Sequence, residues 1–327
     1  MAPVLLVVGA SAGGVEALRA LVAGLPAALP AAVLVTVHVG DRQESHLPQI
    51  LSRSGPLPAE HARDGQPVEA GRILVAPADR HLMVRDGRVV LSRGPRVNRY
   101  RPSVDVMFGS AARAGGPSVI GAVLSGALDD GAVGAALIDS RGGVVAVQDP
   151  DDAGTDSMPR AALTAVPHAI VASAADLGPQ LAALVHKVIG EGVSMIERDD
   201  EPAAGQTMSE SAGPGSLAGD ESAALRVACP DCGGVLARID LPRITYFRCH
   251  VGHQYSPLTL ERAQRERAEN ALWTAVAALE EHAVTARFVA TNQPETDADR
   301  AGYVRAAERS DAVADAVRSR IDRTADA

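Results

Sequence analysis

The stretch Pro3-Val4-Leu5-Leu6-Val7-Val8-Gly9-Ala10-Ser11-Ala12-Gly13-Gly14-Val15-Glu16-Ala17-Leu18 decides the fold. Residues 4–8 form an apolar run rich in branched side chains, too short for a helix, and read as a buried strand. The glycines that follow make a tight turn. From Val15 onward apolar residues recur at helical spacing, so the turn opens a helix. Ser11 is the one hydroxyl in that turn, at the C-terminal edge of the sheet and beside the free N–H groups of a helix start. Two chemistries suit such a turn. It can cradle a phosphate, or it can present a serine nucleophile whose oxyanion the N–H groups hold.

Outward from this unit, strand-like and helix-like segments alternate to about residue 190. Strands are expected at 32–37, 72–76, 88–91, 119–124 and 143–148, and helices at 46–51, 104–114, 132–140, 161–165 and 177–189. The fold class expected for residues 1–190 is α/β, a doubly wound, mostly parallel, Rossmann-like sheet with helices on both faces. Residues 191–222 collect acidic residues, Gly, Ser, Pro and Ala without periodicity and read as a flexible linker. Residues 223–256 hold all three cysteines in a small module. Residues 257–327 carry two Ala-rich helical patterns broken at Asn292-Gln293-Pro294, an antiparallel α-helical hairpin. Its apolar faces are expected to be Leu272, Val276, Leu279 and Ala283 on one helix, and Val304, Val313, Val317 and Ile321 on the other.

Composition narrows the function. The chain has 327 residues and a formal net charge of −9, which disfavours nucleic acid or an anionic membrane as partner. Aromatic residues are 2% of the chain, so the core is built from small aliphatic side chains. No apolar stretch reaches the length of a membrane span. The N-terminus lacks a basic region ahead of its apolar run, which reads as a strand rather than a signal peptide. The expected setting is cytoplasmic, with no insertion into a membrane.

Three strand ends carry chemistry. The first leads to Ser11, the second ends at His38, and the strand at 119–124 leads into Ser125-Gly126-Ala127-Leu128-Asp129-Asp130-Gly131. In a parallel sheet these ends lie on one edge. A Ser, a His and an Asp there are the composition of a nucleophilic triad. The plainer readings are a loop histidine at 38, and Asp129 and Asp130 as turn formers or as the N-cap of the helix at 132. The nucleotide reading is weaker on two counts. The turn lacks the third glycine at the expected spacing, and His38 stands where an acid would read a ribose hydroxyl.

Several further segments occur in order: Val75-Ala76-Pro77-Ala78-Asp79-Arg80-His81-Leu82, Arg101-Pro102-Ser103-Val104-Asp105-Val106-Met107-Phe108, Leu124-Ser125-Gly126 with Asp130-Gly131-Ala132, Gln148-Asp149-Pro150, and Met158-Pro159. With the Ser11 turn and His38, residues 1–190 resemble the catalytic domain of the CheB chemotaxis protein-glutamate methylesterases. The resemblance implies a serine esterase acting on glutamate methyl esters of a methylated chemoreceptor or similar signalling protein, with glutamine deamidation as a second activity. It implies Ser11 as nucleophile, His38 as general base and Asp130, rather than Asp129, as the orienting carboxylate. The Ala12 N–H is the oxyanion candidate from the turn geometry, and no catalytic cofactor is expected. Asp79, Arg80, His81, Arg101 and Asp105 belong to family motifs with structural or substrate-facing roles. The sequence departs from the family in two places. Ala127-Leu128 replaces a common Met-Gly pair, so rate or substrate range is expected to differ. With the catalytic turn at residue 9, no phospho-accepting receiver is expected ahead of it.

Cys229-Pro230-Asp231-Cys232-Gly233-Gly234, followed by Cys249-His250-Val251-Gly252-His253, has the spacing of a tetrahedral Zn²⁺ site. Cys229, Cys232, Cys249 and His253 are the expected ligands, His253 being preferred to His250 because Gly252 lets the chain loop back. The other readings are a metal-free CxxC and a redox CxxC, the latter without the βαβ surround it needs. The module resembles a zinc-ribbon-like extension of some receptorless methylesterase homologues. Its zinc is expected to be structural, since no coordination position is open. With the hairpin it is expected to serve docking, inhibition or formation of a homo-oligomer. Against the esterase stands a non-catalytic binding or signalling module that retains the fold.

Overall fold

The computed structural model describes residues 3–38, 45–196, 220–241, 243–292 and 296–325. By contacts the chain divides into two units, Met1–Leu260 and Glu261–Ala327.

The first unit is built on a parallel sheet of β1 (Val4–Ala10), β2 (Ala31–Val37), β3 (Ala59–His61), β4 (Ile73–Val75), β7 (Val119–Val123), β8 (Val144–Gln148) and β9 (Ile170–Ala172), in the order β3-β4-β2-β1-β7-β8-β9. β1 and β2 are buried along their whole length, as their unbroken apolar runs require of a strand covered on both faces. Helices α1 (Gly14–Ala23), α2 (Leu47–Ser54) and α6 (Ala174–Ile196) supply Leu18, Leu21, Leu51, Leu177 and Leu181 to one apolar layer. Helices α3 (Val104–Gly115), α4 (Ala132–Ser140) and α5 (Ser157–Ala165) supply Met107, Phe108, Ile138 and Ala162 to the other. This is the doubly wound arrangement the alternation predicts. The sheet order reverses between β1 and β7, so the crevice at the C-terminal ends of those strands is the topological switch point.

Several elements escaped the periodicity. β3 and β9 span three residues each, too short to show a pattern. β5 (His81–Arg85) pairs with β6 (Arg88–Ser92) in a separate antiparallel hairpin. Its turn is Asp86-Gly87, both at positive φ (49° and 68°), the backbone a two-residue hairpin needs. Helix α6 runs to Ile196, past the expected linker start at 191, and the rest of that linker up to 219 lies outside the described residues.

The Cys module is an antiparallel sheet of β10 (Asp220–Ala228), β11 (Val235–Leu241), β12 (Ile244–Cys249) and β13 (Gln254–Tyr255). It is not an isolated bead. Ile239 and Tyr246, both fully buried, join the apolar layer of α3, α4 and α5. Burial of this kind stabilises by about 1.5–3 kcal/mol per large side chain.

Helix α7 (Pro257–Asn292) begins in this unit and continues into the second, where α8 (Asp297–Ala325) runs antiparallel to it. The seam agrees with the expected one at Val276, Ala283 and Ile321 and differs elsewhere. Val276, Ala283, Ala286, Ala290, Ala307, Ala314 and Ile321 are buried, whereas Leu272, Val304 and Val313 are exposed. Alanines let the two backbones approach closely, and that leaves the larger side chains at the margins.

Candidate active site

Ser11 follows β1 directly, and its position is fixed by the loop after β7. The Ser11 N–H donates to the Ser125 carbonyl at 2.9 Å, and the Ser125 hydroxyl donates to the Ala12 carbonyl at 2.7 Å. Ser125 is held in turn: its N–H donates to the Gln148 side-chain oxygen, and its hydroxyl accepts the Thr155 N–H. The left-handed residue of the turn is Gly13 (φ 72°), so Ser11 itself carries no backbone strain. Gly126 leaves no room for a side chain unless its neighbours move. A Cβ there would lie 2.0 Å from Met158 Sδ and 2.9 Å from Ser11 Cβ. Among the described residues no acceptor takes the Ala12 N–H, which stands at the positive end of α1.

His38 directly follows β2 and faces Ser11 across the crevice. Its Nδ1 is 3.1 Å from Ser11 Oγ, and its Nε2 is 2.7 Å from Asp130 Oδ2. Those distances select the tautomer with the proton on Nε2, leaving the Nδ1 lone pair for the serine. The Tyr100 ring stacks on the imidazole at 3.6 Å between centroids, the planes 6° apart.

Asp130 is fully buried. Its Oδ2 also accepts the Val104 N–H at 2.7 Å, and its Oδ1 accepts the Ser103 hydroxyl, the Asp105 N–H and the Asn98 amide. Asp130 therefore sits on the N-terminus of α3, not of the α4 it precedes. Asp105 of α3 accepts from Gly131 and Gly134 at the start of α4, so the two helices exchange acidic caps. Burial alone would push Asp130 up, but the hydrogen bond and charge of His38, with the Val104 N–H and Asn98 amide, hold it down to about 2. Asp105 goes the other way. Burial and the Asp130 charge raise it well above the ordinary carboxyl value. Asp129 is pushed up to about 6, chiefly by burial.

The structure thus brings Ser11, His38 and Asp130 into one hydrogen-bonded chain. Asp129 lies outside that chain. His81 is buried and lowered to about 4 by that burial, bonded to the Pro95 carbonyl and the Ser103 N–H. Asp79 pairs with Arg101, at 2.5 Å. Asn98 and Tyr100 were missed in the sequence. Neither ends a strand, and no local pattern marks them.

The residues match the family model described as CheB methylesterase over residues 6–181. The chain belongs to the CheB methylesterase family. Similar proteins include the protein-glutamate methylesterase/protein-glutamine glutaminase 2 of Anaeromyxobacter dehalogenans, 40% identical over 48% of this chain and 46% of that one. The corresponding protein 4 of Myxococcus xanthus is 39% identical over 52% of this chain and 49% of that one. The chain spans about half the length of the curated relatives it matches. The crystal structure of the Thermotoga maritima CheB methylesterase catalytic domain superposes with a TM-score of 0.54 at 28% identity, covering 56% of this chain and 100% of that domain. Family membership thus rests on the α/β domain, while the Cys module and hairpin lie beyond the matched residues.

In the Cys module, ligand atoms of Cys229, Cys232, Cys249 and His253 lie within 4.8 Å of one another. Cys232 and Cys249 sulfurs are 3.6 Å apart, and His253 Nδ1 is 3.5 Å from Cys249 Sγ. Tetrahedral Zn–S bonds of about 2.3 Å place ligand atoms at this kind of separation. Two knuckle turns form the site. The Gly233 N–H donates to the Cys229 carbonyl and the Gly252 N–H to the Cys249 carbonyl, both glycines being left-handed at φ 74° and 106°. His250 is exposed and outside the cluster. Asp231 accepts from the Tyr255 hydroxyl at 2.6 Å and lies 4.0 Å from His253 Nε2.

Proposed function

We propose that this chain is a serine esterase that hydrolyses glutamate side-chain methyl esters on a methylated chemoreceptor or similar signalling protein. The observation that carries the reading is the chain Ser11 Oγ, His38 and Asp130, at 3.1 and 2.7 Å, at the switch point of the sheet. His38 Nδ1 takes the Ser11 proton as Oγ attacks the ester carbon. Asp130 holds the tautomer and stabilises the imidazolium. The carbonyl oxygen becomes an oxyanion, for which the Ala12 N–H is the donor. The bond to the methoxy group breaks, and that group leaves as methanol with the Nδ1 proton. Water then gives a proton to Nδ1 and attacks the acyl carbon, freeing Ser11 and a glutamate carboxylate. Glutamine deamidation uses the same acyl-enzyme with ammonia leaving, in keeping with the double names of the relatives.

The module is a structural zinc site on Cys229, Cys232, Cys249 and His253. Zinc supplies cross-linking of the two knuckles and no chemistry at Ser11. Among the described residues no helix is long and apolar enough to cross a membrane. Self-association through the hairpin would use its exposed Trp273, Phe288 and Tyr303, and sedimentation of the full chain reads it.

The direct test is labelling by a fluorophosphonate, located by mass spectrometry, together with methanol release from methylated receptor. Labelling at Ser11 and its loss in Ser11→Ala are expected. A Ser11→Ala variant that keeps full hydrolysis overturns the triad.

A further inference from the structure

We infer that Asn98 is a positioning residue for the triad, and that the segment Gln254–Thr259, downstream of the Cys/His cluster, fixes it in place. The inference rests on the esterase reading above and concerns how this chain holds its own acid and base.

Asn98 is buried, at 2% exposure, between Asp105 and Asp130 on one side and the tail on the other. Its amide nitrogen donates to Asp105 Oδ2 at 2.8 Å and to Asp130 Oδ1 at 3.1 Å. Its amide oxygen accepts the Ser256 N–H at 2.9 Å and the Thr259 hydroxyl at 3.1 Å. A backbone N–H can only donate, so the Ser256 contact obliges the amide oxygen to face the tail. The NH₂ must then face the carboxylates. If the amide turned over, its oxygen would face the carboxyl groups and a donor to the buried Asp130 would be lost.

The tail also holds the backbone that carries Asn98. Val97 pairs with Gln254 in a parallel bridge, and the Asn98 N–H donates to the Gln254 carbonyl at 2.7 Å. Gly252 of the second knuckle lies against Pro95, where an added Cβ would come within 3.1 Å of the ring. Asn98 and Arg99 are both left-handed, at φ 51° and 69°. That turn delivers Tyr100 onto the face of His38. One segment of tail therefore supports the donor to the acid and the stacking partner of the base. Ser256 anchors the segment, since its hydroxyl accepts the Thr259 N–H at the start of α7 and lies 2.9 Å from the Thr259 hydroxyl. Ser256 and Thr259 are 3% and 0% exposed, so the contact is built in rather than superficial.

The test uses the full chain with Asn98→Gly, Thr259→Val and the double variant. Glycine keeps the left-handed backbone, and valine keeps the shape of threonine. Fluorophosphonate labelling, kcat and KM for p-nitrophenyl acetate, and the pH profile of kcat are measured. Asn98→Gly is expected to lower kcat by about tenfold with KM unchanged, as small displacements of reacting groups do. It should also move the acidic limb to higher pH, because a carboxylate with fewer donors holds the imidazolium proton more tightly. Thr259→Val should shift both in the same direction by a smaller factor, and its effect should be less than additive on the Asn98→Gly background, where the amide oxygen it donates to is already gone. Unchanged kcat and pH limb in Asn98→Gly, or additive effects in the double variant, overturn the inference. If Asn98→Gly fails to fold, Thr259→Val alone decides through the pH limb. A wild-type chain that is not labelled at Ser11 instead overturns the esterase reading itself.

Discussion

At the residue scale the site separates three neighbouring carboxyl groups by environment. Asp130 is surrounded by donors and stays ionised, while Asp105 and Asp129 are raised by burial. Asp130→Asn would place an amide NH₂ against N–H groups that need an acceptor and would favour the wrong imidazole tautomer. Its kcat is expected to fall by about 10⁴-fold, the scale of this change in the serine-protease triad, measured with the same ester. Asp129 makes the opposite contribution to stability. Its folded value of about 6 lies above the ordinary 3.8. The stability it confers is therefore complete below pH 3.8 and is lost as pH rises through 6. Asp129→Asn should be more stable than wild type at pH 8, by up to about 3 kcal/mol, and indistinguishable near pH 3.5. Urea unfolding at the two pH values checks this, and equal differences at both would contradict it.

At the element scale, catalysis depends on how loops after β1, β2 and β7 are pinned to one another. Gly126 is the closest packed point of that contact. Gly126→Ala should cost about 1–3 kcal/mol of stability by overpacking and lower activity further, because Ser11 Cβ has to move. A thermal melt and a labelling rate together read both effects; an unaltered labelling rate would argue against the contact. Leu128 occupies φ 65°, a backbone region that a branched aliphatic residue enters at a cost. Leu128→Gly, which restores the glycine common at this place in the family, should therefore not destabilise the fold despite the loss of a side chain, since αL strain of about 1–2 kcal/mol is relieved. The same melts decide it.

At the scale of the whole molecule, the Cys module is joined to the α/β domain by Ile239 and Tyr246 and by the pairing of Gln254 with Val97. The knuckles and the loop carrying Asn98 and Tyr100 are thus mechanically continuous. Chelation of the metal, or Cys232→Ser, should remove hydrogen-exchange protection from residues 229–255 and from the Asn98 amide, while the central strands β1 and β7 keep theirs. Metal analysis of unchelated protein should give about one zinc per chain. Exchange that is unchanged after metal removal would show the module to be held by packing alone.

The sequence by itself determined the α/β class, the strand ends at Ser11 and His38, the acid loop at 129–130 and the cysteine spacing. These are local: a run, a turn and a spacing each lie within about ten residues and follow from strand and helix periods. Residue pattern alone left open which of the adjacent acids joins the histidine, and the family resemblance pointed to Asp130; His38 and Asp130 lie 92 positions apart, and the sheet order brings them together. The sequence showed no trace of Asn98, whose partner Ser256 is 158 positions away. It placed only part of the hairpin seam: Val276, Ala283 and Ile321 are buried as expected, but Leu272, Val304 and Val313 are displaced by alanines such as Ala286, Ala307 and Ala314. Tertiary structure decided those points because buried hydrogen bonds are satisfied by whatever the fold brings near, and not by sequence neighbours.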